Sequence, residues 1–144
     1  MKIDVQTATL SLHGLMLSAG TNLGSLQASR SADFRRPIIS NGIFETYRIA
    51  DNEAASHLVF KNGKLWQVRT SMFTAEDASG FATESTERLR HAKHKAELKR
   101  LLGGTHLHCS NGSTVELCFD ERSLTSTIIT TYPTPDTPSS APRG

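Results

Sequence analysis

The sequence predicts an α+β fold: an antiparallel sheet of hairpins packed on one long helix in the C-terminal half, plus a short N-terminal helix. Two Asn-Gly pairs, at 62–63 and 111–112, each lie between short runs rich in apolar residues, which is typical of β-hairpins. A charged segment from Thr83 to Leu102 has the length of a helix and ends at two consecutive glycines.

Length and composition predict a single domain. A chain of 144 residues can bury a core that is stable without metals or disulfides. Four of the five prolines fall in residues 133–144, where serine and threonine are also frequent. We therefore expect one α+β domain over residues 1–132 and a disordered tail over 133–144.

The N-terminal segment is expected to form a strand and a short helix. Alternating apolar residues over 3–17 indicate a strand, with a bulge beside Gly14 where the alternation changes phase. Thr21 is positioned to cap a helix that runs to about Ser29.

The middle of the chain predicts a loop, a strand and a tight hairpin. Residues 30–42 contain a proline and an Asn-Gly pair and are typical of a loop, and a strand is expected over 43–49. The pair Asn62–Gly63 suits a two-residue turn in which both residues have positive φ. This turn places Phe60 opposite Leu65.

The same register predicts which side chains share a face of this first hairpin, with Val59 opposite Trp66. Both faces are partly apolar, so either both are covered or one offers an apolar patch to a partner. One face would hold Val59, Trp66, Val68 and Met72, and the other Leu58, Phe60, Leu65, Gln67 and Arg69.

The second hairpin has two possible loop lengths. A two-residue loop would pair Cys109 with Thr114 and would mix histidines with apolar residues on one face. A three-residue loop with a left-handed glycine separates apolar from polar residues, and we predict that register. It places Leu107, Cys109, Val115, Leu117 and Phe119 on one face and His106, His108, Glu116 and Cys118 on the other.

The two cysteines are predicted to be free thiols. Cys109 and Cys118 point to opposite faces in the preferred register, and in the other they lie beyond the ~7 Å Cα separation that a disulfide allows. Free thiols are typical of a reducing compartment, and the first residues lack the apolar run of a secretory signal. We therefore expect a cytoplasmic protein, and no stretch approaches the roughly 20 apolar residues of a membrane helix.

The long helix is basic. Residues 86–102 hold six basic and two acidic side chains, a local net charge of +4 in a chain of net charge +2. Such a helix could contact phosphates or an acidic protein. Its basic residues are spread around the helix without aromatic neighbours, which favours a solvated helix with a narrow buried side. Its apolar residues lie on two nearly opposite sides, which indicates a bend or a change of docking along the helix.

The sequence contains no catalytic motif that we recognise, such as a nucleophile elbow, a zinc-protease motif or a phosphate-cradling glycine loop. We therefore predict no metal, no cofactor and no enzymatic activity, with a site assembled from scattered residues as the alternative. The candidate metal ligands considered are His106, His108 and Glu116 on one strand face and His91 and His94 on the helix, while His13 and His57 are isolated in the sequence.

The order of elements resembles a known family. Segment 59–66, VFKNGKLW, forms a strand–Asn-Gly–strand unit that is followed by a long charged helix and a second hairpin. Over residues 40–120 this architecture resembles the small cytoplasmic α+β immunity proteins that bacteria encode beside secreted toxins. The resemblance implies an inhibitor that binds one toxin and performs no chemistry.

We accordingly predict a protein-binding module, an immunity protein that binds and neutralises a cognate bacterial toxin or effector. The alternatives are a nucleic-acid-binding module that uses the basic helix 86–102 and a small enzyme, and the oligomeric state stays open. The expected partner-binding residues are Leu65, Gln67, Arg69, His106, His108 and Glu116.

Overall fold

A computed structural model describes residues 1–75, 77 and 84–134 of the chain and confirms the α+β class. Its elements in chain order are β1 (Lys2–Ile3), β2 (Leu10–Leu12), β3 (Leu15–Leu17), α1 (Leu23–Ser29), β4 (Ile39–Asn41), β5 (Phe44–Ala50), β6 (Ala54–Lys61), β7 (Lys64–Met72), α2 (Glu84–Leu102), β8 (His106–His108), β9 (Thr114–Asp120) and β10 (Thr125–Thr131).

The strands form two antiparallel sheets. A small sheet has the order β1-β2-β3, and a large sheet has the order β4-β5-β6-β7-β10-β9-β8. Both sheets and both helices contribute side chains to one apolar core. Tyr132, which follows the last strand, joins the two sheets because its buried hydroxyl donates to the carbonyl oxygens of Ala8 and Leu17 at 2.7 and 3.0 Å.

The N-terminal segment is a hairpin and not the single bulged strand that we expected over residues 3–17. His13 and Gly14 have φ values of 55° and 75°, and Leu12 pairs directly with Leu15. Two consecutive positive φ values reverse the chain, whereas a bulge would only bend it. The change of alternation phase at Gly14 therefore marks a turn.

The next elements also differ from the expectation. Asn22, and not Thr21, caps α1, because its side chain accepts from the Gly24 N–H at 2.7 Å. The expected loop over residues 30–42 contains β4, which forms one edge of the large sheet by pairing with β5. A strand of three residues, of which only Ile39 favours β structure, is ambiguous without the neighbouring strand.

The first hairpin contains one extra residue. Asn62 and Gly63 have the expected positive φ values, and Phe60 pairs with Leu65 as expected. Val59, however, pairs with Gln67 and not with Trp66, because the register shifts between Val59 and Phe60. The predicted faces are therefore wrong beyond the turn: Leu65 lies on the core face, and Gln67 lies on the other face.

The second hairpin has the predicted three-residue loop. His106 pairs with Glu116 and His108 with Thr114, and the Cys109 N–H donates to the Ser113 carbonyl at 2.8 Å. Gly112 supplies the left-handed residue, with φ +89°. Cys109 and Cys118 are free, as the register requires.

Helix α2 buries one continuous stripe along its length, so a bend is not needed to explain its docking. Residues spaced four apart face the sheet, whereas Leu89 is 51% exposed. The expected first residue of the helix, Thr83, lies outside the described residues, as do residues 135–144 of the expected tail. The buried stripe consists of Thr86, Arg90, His94 and Leu98.

We expect Gly112→Ala to lower the free energy of unfolding by about 1 kcal/mol, because an L-residue is disfavoured at a left-handed φ. Gly104→Ala is the matched control, since its added Cβ has nothing within 4 Å and its φ is not left-handed. Chemical denaturation of both variants measures the difference. Equal stability of the two would contradict the loop geometry.

Candidate functional site

In the part of the chain that the structure describes, one face of the large sheet is covered by neither helix nor by the small sheet. Its other face packs against α2 and the small sheet, so we call the free side the open face. Residues that pair across neighbouring strands form two rows of side chains on this face, and both rows run from β5 to β8. The first row contains Arg48, His57, Arg69, Ile129, Glu116 and His106, and the second contains Thr46, Val59, Gln67, Thr131, Thr114 and His108.

The open face brings together five of the six predicted contact residues: Gln67, Arg69, His106, His108 and Glu116. The sixth, Leu65, is 0% exposed and belongs to the core. The extra residue in β7 places Leu65 on the face opposite to Gln67 and Arg69. Its side chain is therefore not accessible to a partner in this structure.

An apolar groove of about 380 Å³ lies at the β4 end of the open face. Its floor contains Phe44 and Trp66, whose rings contact each other with centroids 5.5 Å apart. Ile38 and Ile39 form its outer wall and are 53% and 60% exposed. This groove was not predicted, because residues 30–42 were expected to form a loop.

Three basic side chains adjoin the groove on neighbouring strands. Arg48, His57 and Arg69 lie opposite one another in the register. The guanidinium of Arg69 donates twice to the side-chain oxygen of Gln67, at 3.0 and 3.1 Å, which orients it. Burial, followed by the charges of Arg48 and Arg69, lowers the pKa of His57, so this imidazole is neutral at pH 7.

The buried stripe of α2 is anchored by an arginine. Arg90 donates to both carboxylate oxygens of Asp77 at 2.5 and 3.0 Å, to Glu87, and to the carbonyl of Met72. Its hydrogen bonds lower the pKa of Asp77 to about 2 in spite of burial. Arg90 belongs to the basic helix 86–102 that the nucleic-acid-binding alternative would use. It is only 6% exposed and is paired with Asp77 and Glu87.

A second buried group on α2, His94, joins the helix to β7 and β10. Its Nε2 accepts from the Met72 N–H at 2.9 Å, so its proton is on Nδ1 and is donated to the Ser126 hydroxyl at 2.8 Å. The Ser126 hydroxyl lies 3.0 Å from Nδ1 of His91, to which it donates. Since His94 donates to the serine, it cannot activate that serine as a base.

A third polar chain joins the small sheet to the large one. His13, in the turn between β2 and β3, lies 2.8 Å from Asp51 through Nδ1 and 2.8 Å from Ser56 through Nε2. The Ser56 hydroxyl is also 3.0 Å from that of Thr70. Although burial opposes it, hydrogen bonds from the N–H groups of Glu53 and Ala54 and from His13 lower the pKa of Asp51.

The order of these groups is that of an acyl-transfer triad, and His13 and Asp51 line a cavity of about 440 Å³. The serine, however, is 1% exposed, shares a hydrogen bond with the Thr70 hydroxyl and is not among the cavity walls. The chain of hydrogen bonds therefore acts as a clamp between the hairpin and the sheet. No local pattern predicts this clamp, because His13 and Asp51 are 38 residues apart.

The described residues contain no group of three or more His, Cys, Asp and Glu side chains arranged to hold a metal ion. Neither described helix combines the length and apolar character that would let it cross a membrane. Comparisons with protein-family models, curated proteins and solved structures gave no match.

We expect Ser56→Ala to lower the free energy of unfolding by about 1–3 kcal/mol, because Nε2 of His13 and the hydroxyl of Thr70 lose the serine hydroxyl that both contact. Ser40→Ala, at an exposed position of β4, is the control and should change stability by less than about 0.5 kcal/mol. Urea denaturation compares the two. A neutral Ser56→Ala variant would show that the clamp contributes nothing to stability.

Stability should also depend on the protonation of His94. Burial, followed by the charges of Arg90, His91 and Lys93, lowers its pKa from 6.5 to about 4. The unfolded chain therefore binds this proton more readily, so the contribution of neutral His94 is complete above pH 6.5 and is lost as the pH falls to about 4. The loss should be roughly 3 kcal/mol.

The measurement is the free energy of unfolding from pH 7 to 4 for the wild type and His94→Gln. Glutamine can still accept from the Met72 N–H but does not titrate, so the variant should have a flatter pH dependence. His108→Gln, at an exposed position of β8, should retain the wild-type slope. Equal slopes for the wild type and His94→Gln would refute the buried neutral histidine.

Proposed function

We propose that this protein is a binding module whose open face docks one protein partner, and that it is an immunity protein that neutralises a bacterial toxin. The observation that carries the binding role is the continuity of the apolar groove with the exposed row of Arg48, His57 and Arg69. The toxin as partner is supported by the architectural resemblance over residues 40–120.

The groove and the arginines have the composition of an interface. Tryptophan and arginine are enriched among the residues that dominate binding energy, especially where an apolar centre has a polar rim. Trp66 and Phe44 supply the centre, and the exposed Ile39 extends it to the edge of the sheet. The partner that fits this face has an apolar side chain for the groove beside acidic groups for Arg48 and Arg69.

The open face is a better binding surface than the basic helix. Arg90 is buried in ion pairs, Lys93 donates to the Phe73 carbonyl, and Arg100 pairs with Glu97. These contacts reduce the number of charges on α2 that could meet a nucleic-acid backbone, whose binding depends on releasing counterions at several phosphates.

The test uses the proteins encoded by the genes adjacent to this one. We expect one of them to arrest growth when expressed alone, and to be bound and neutralised by the wild-type chain. Trp66→Ala and Arg69→Glu should each weaken the complex by at least about 2 kcal/mol, which is roughly 30-fold in Kd, while the fold is retained. Lys95→Glu, at an exposed position of α2, should bind as the wild type does.

Charge reversal of Glu116, at the β9 end of the open face, should also weaken the complex. We expect the partner to contact this face across its whole width. Unchanged affinity in the Trp66, Arg69 and Glu116 variants would assign the interface to another surface. Lack of both binding and protection against every adjacent gene product would contradict the immunity role.

A further inference from the structure

A cleft of about 480 Å³ lies between the open face and a facing wall that contains Phe73, Asp77, Glu87 and Arg90. One wall is the sheet itself, which contributes Arg48, His57 and Arg69 together with the hydroxyl-bearing residues Thr125 and Thr127 of β10. This volume suits a small ligand.

The sheet wall concentrates positive charge. Like charges directly opposite each other on adjacent strands destabilise a sheet, and here two arginines flank one histidine in register. His57 avoids a third positive charge because its pKa is lowered, and a neutral imidazole still donates one hydrogen bond. A bound anion would offset the repulsion between the arginines.

The described residues of the facing wall do not cancel this charge. They include Asp77 and Glu87, but both carboxylates are engaged by Arg90, which lies between them. Among the described residues that line the cleft, three arginines and two carboxylates give a net charge of +1. The positive charges that remain for a ligand belong to Arg48 and Arg69.

We propose that this cleft binds a compact oxyanion, a phosphate or a carboxylate, through the guanidinium groups of Arg48 and Arg69, with Thr125 and Thr127 as further donors. The planar guanidinium fork matches both kinds of oxyanion. This site goes beyond the proposed function, because it needs no protein partner to be filled.

The test is a titration of the full-length protein with inorganic phosphate, pyrophosphate and succinate at pH 7.5 and constant ionic strength. Calorimetry and amide chemical shifts measure the binding. We expect at least one of the three to bind saturably and to shift the amides of β5, β6 and β7. Tighter binding of pyrophosphate would identify a phosphate ligand, and tighter binding of succinate a carboxylate ligand.

The double variant Arg48→Gln and Arg69→Gln should weaken the binding at least ~tenfold, since each lost charged hydrogen bond contributes more than 1 kcal/mol. The double variant Lys95→Gln and Lys99→Gln, at exposed positions of α2, is the charge-matched control and should bind as the wild type does. Circular dichroism and thermal melting confirm that each variant is folded.

Lack of saturable binding of all three probes, or equal binding by the arginine double variant, would overturn the oxyanion site. The two proposals can fail separately. Trp66→Ala lies outside the cleft and should retain oxyanion binding, whereas it should lose the protein partner.

Discussion

The extra residue in β7 decides which face of the large sheet each following side chain joins. Trp66 has no partner on β6, so Gln67 and Arg69 alternate onto the open face while Val68 and Thr70 enter the core. Without this shift, Gln67 and Arg69 would be buried, and an unpaired polar group costs roughly 1–3 kcal/mol or more when it leaves water. The pairing of β7 with β10, and of β10 with β9 and β8, carries the same alternation across the sheet.

Helix α2 covers the core face through polar groups that each have a partner. The two backbone groups of Met72 hold it: the N–H donates to His94, and the carbonyl accepts from Arg90. Buried polar networks of this kind favour one arrangement over others, because any displacement leaves several groups unsatisfied. The helix is therefore fixed on one side of the sheet. The opposite side keeps its arginines, its tryptophan and its exposed edge isoleucines available to a partner or ligand.

The fold class, the two Asn-Gly hairpins and the face alternation of β8 and β9 were predictable, because turn residues and period-2 patterns are local signals. The bulge in β7 was not, since no residue in that strand marks it, and it moved Leu65 from the expected contact surface into the core. The buried stripe of α2 was not predictable either, because arginine and histidine are normally expected at the surface. The clamp of His13 and Asp51 joins positions 38 residues apart, which only the tertiary structure brings together.

The central claim is that the open face, with Trp66 at its apolar end, contacts the partner. The most direct measurement is hydroxyl-radical footprinting of the chain, alone and in complex with the protein partner that we propose for it. Met16 and Leu89, which are 66% and 51% exposed and lie away from the open face, are internal references. We expect oxidation of Trp66 and Phe44 to fall in the complex while Met16 and Leu89 react as before. Protection of Met16 or Leu89 with unchanged Trp66 would place the partner elsewhere and contradict the claim.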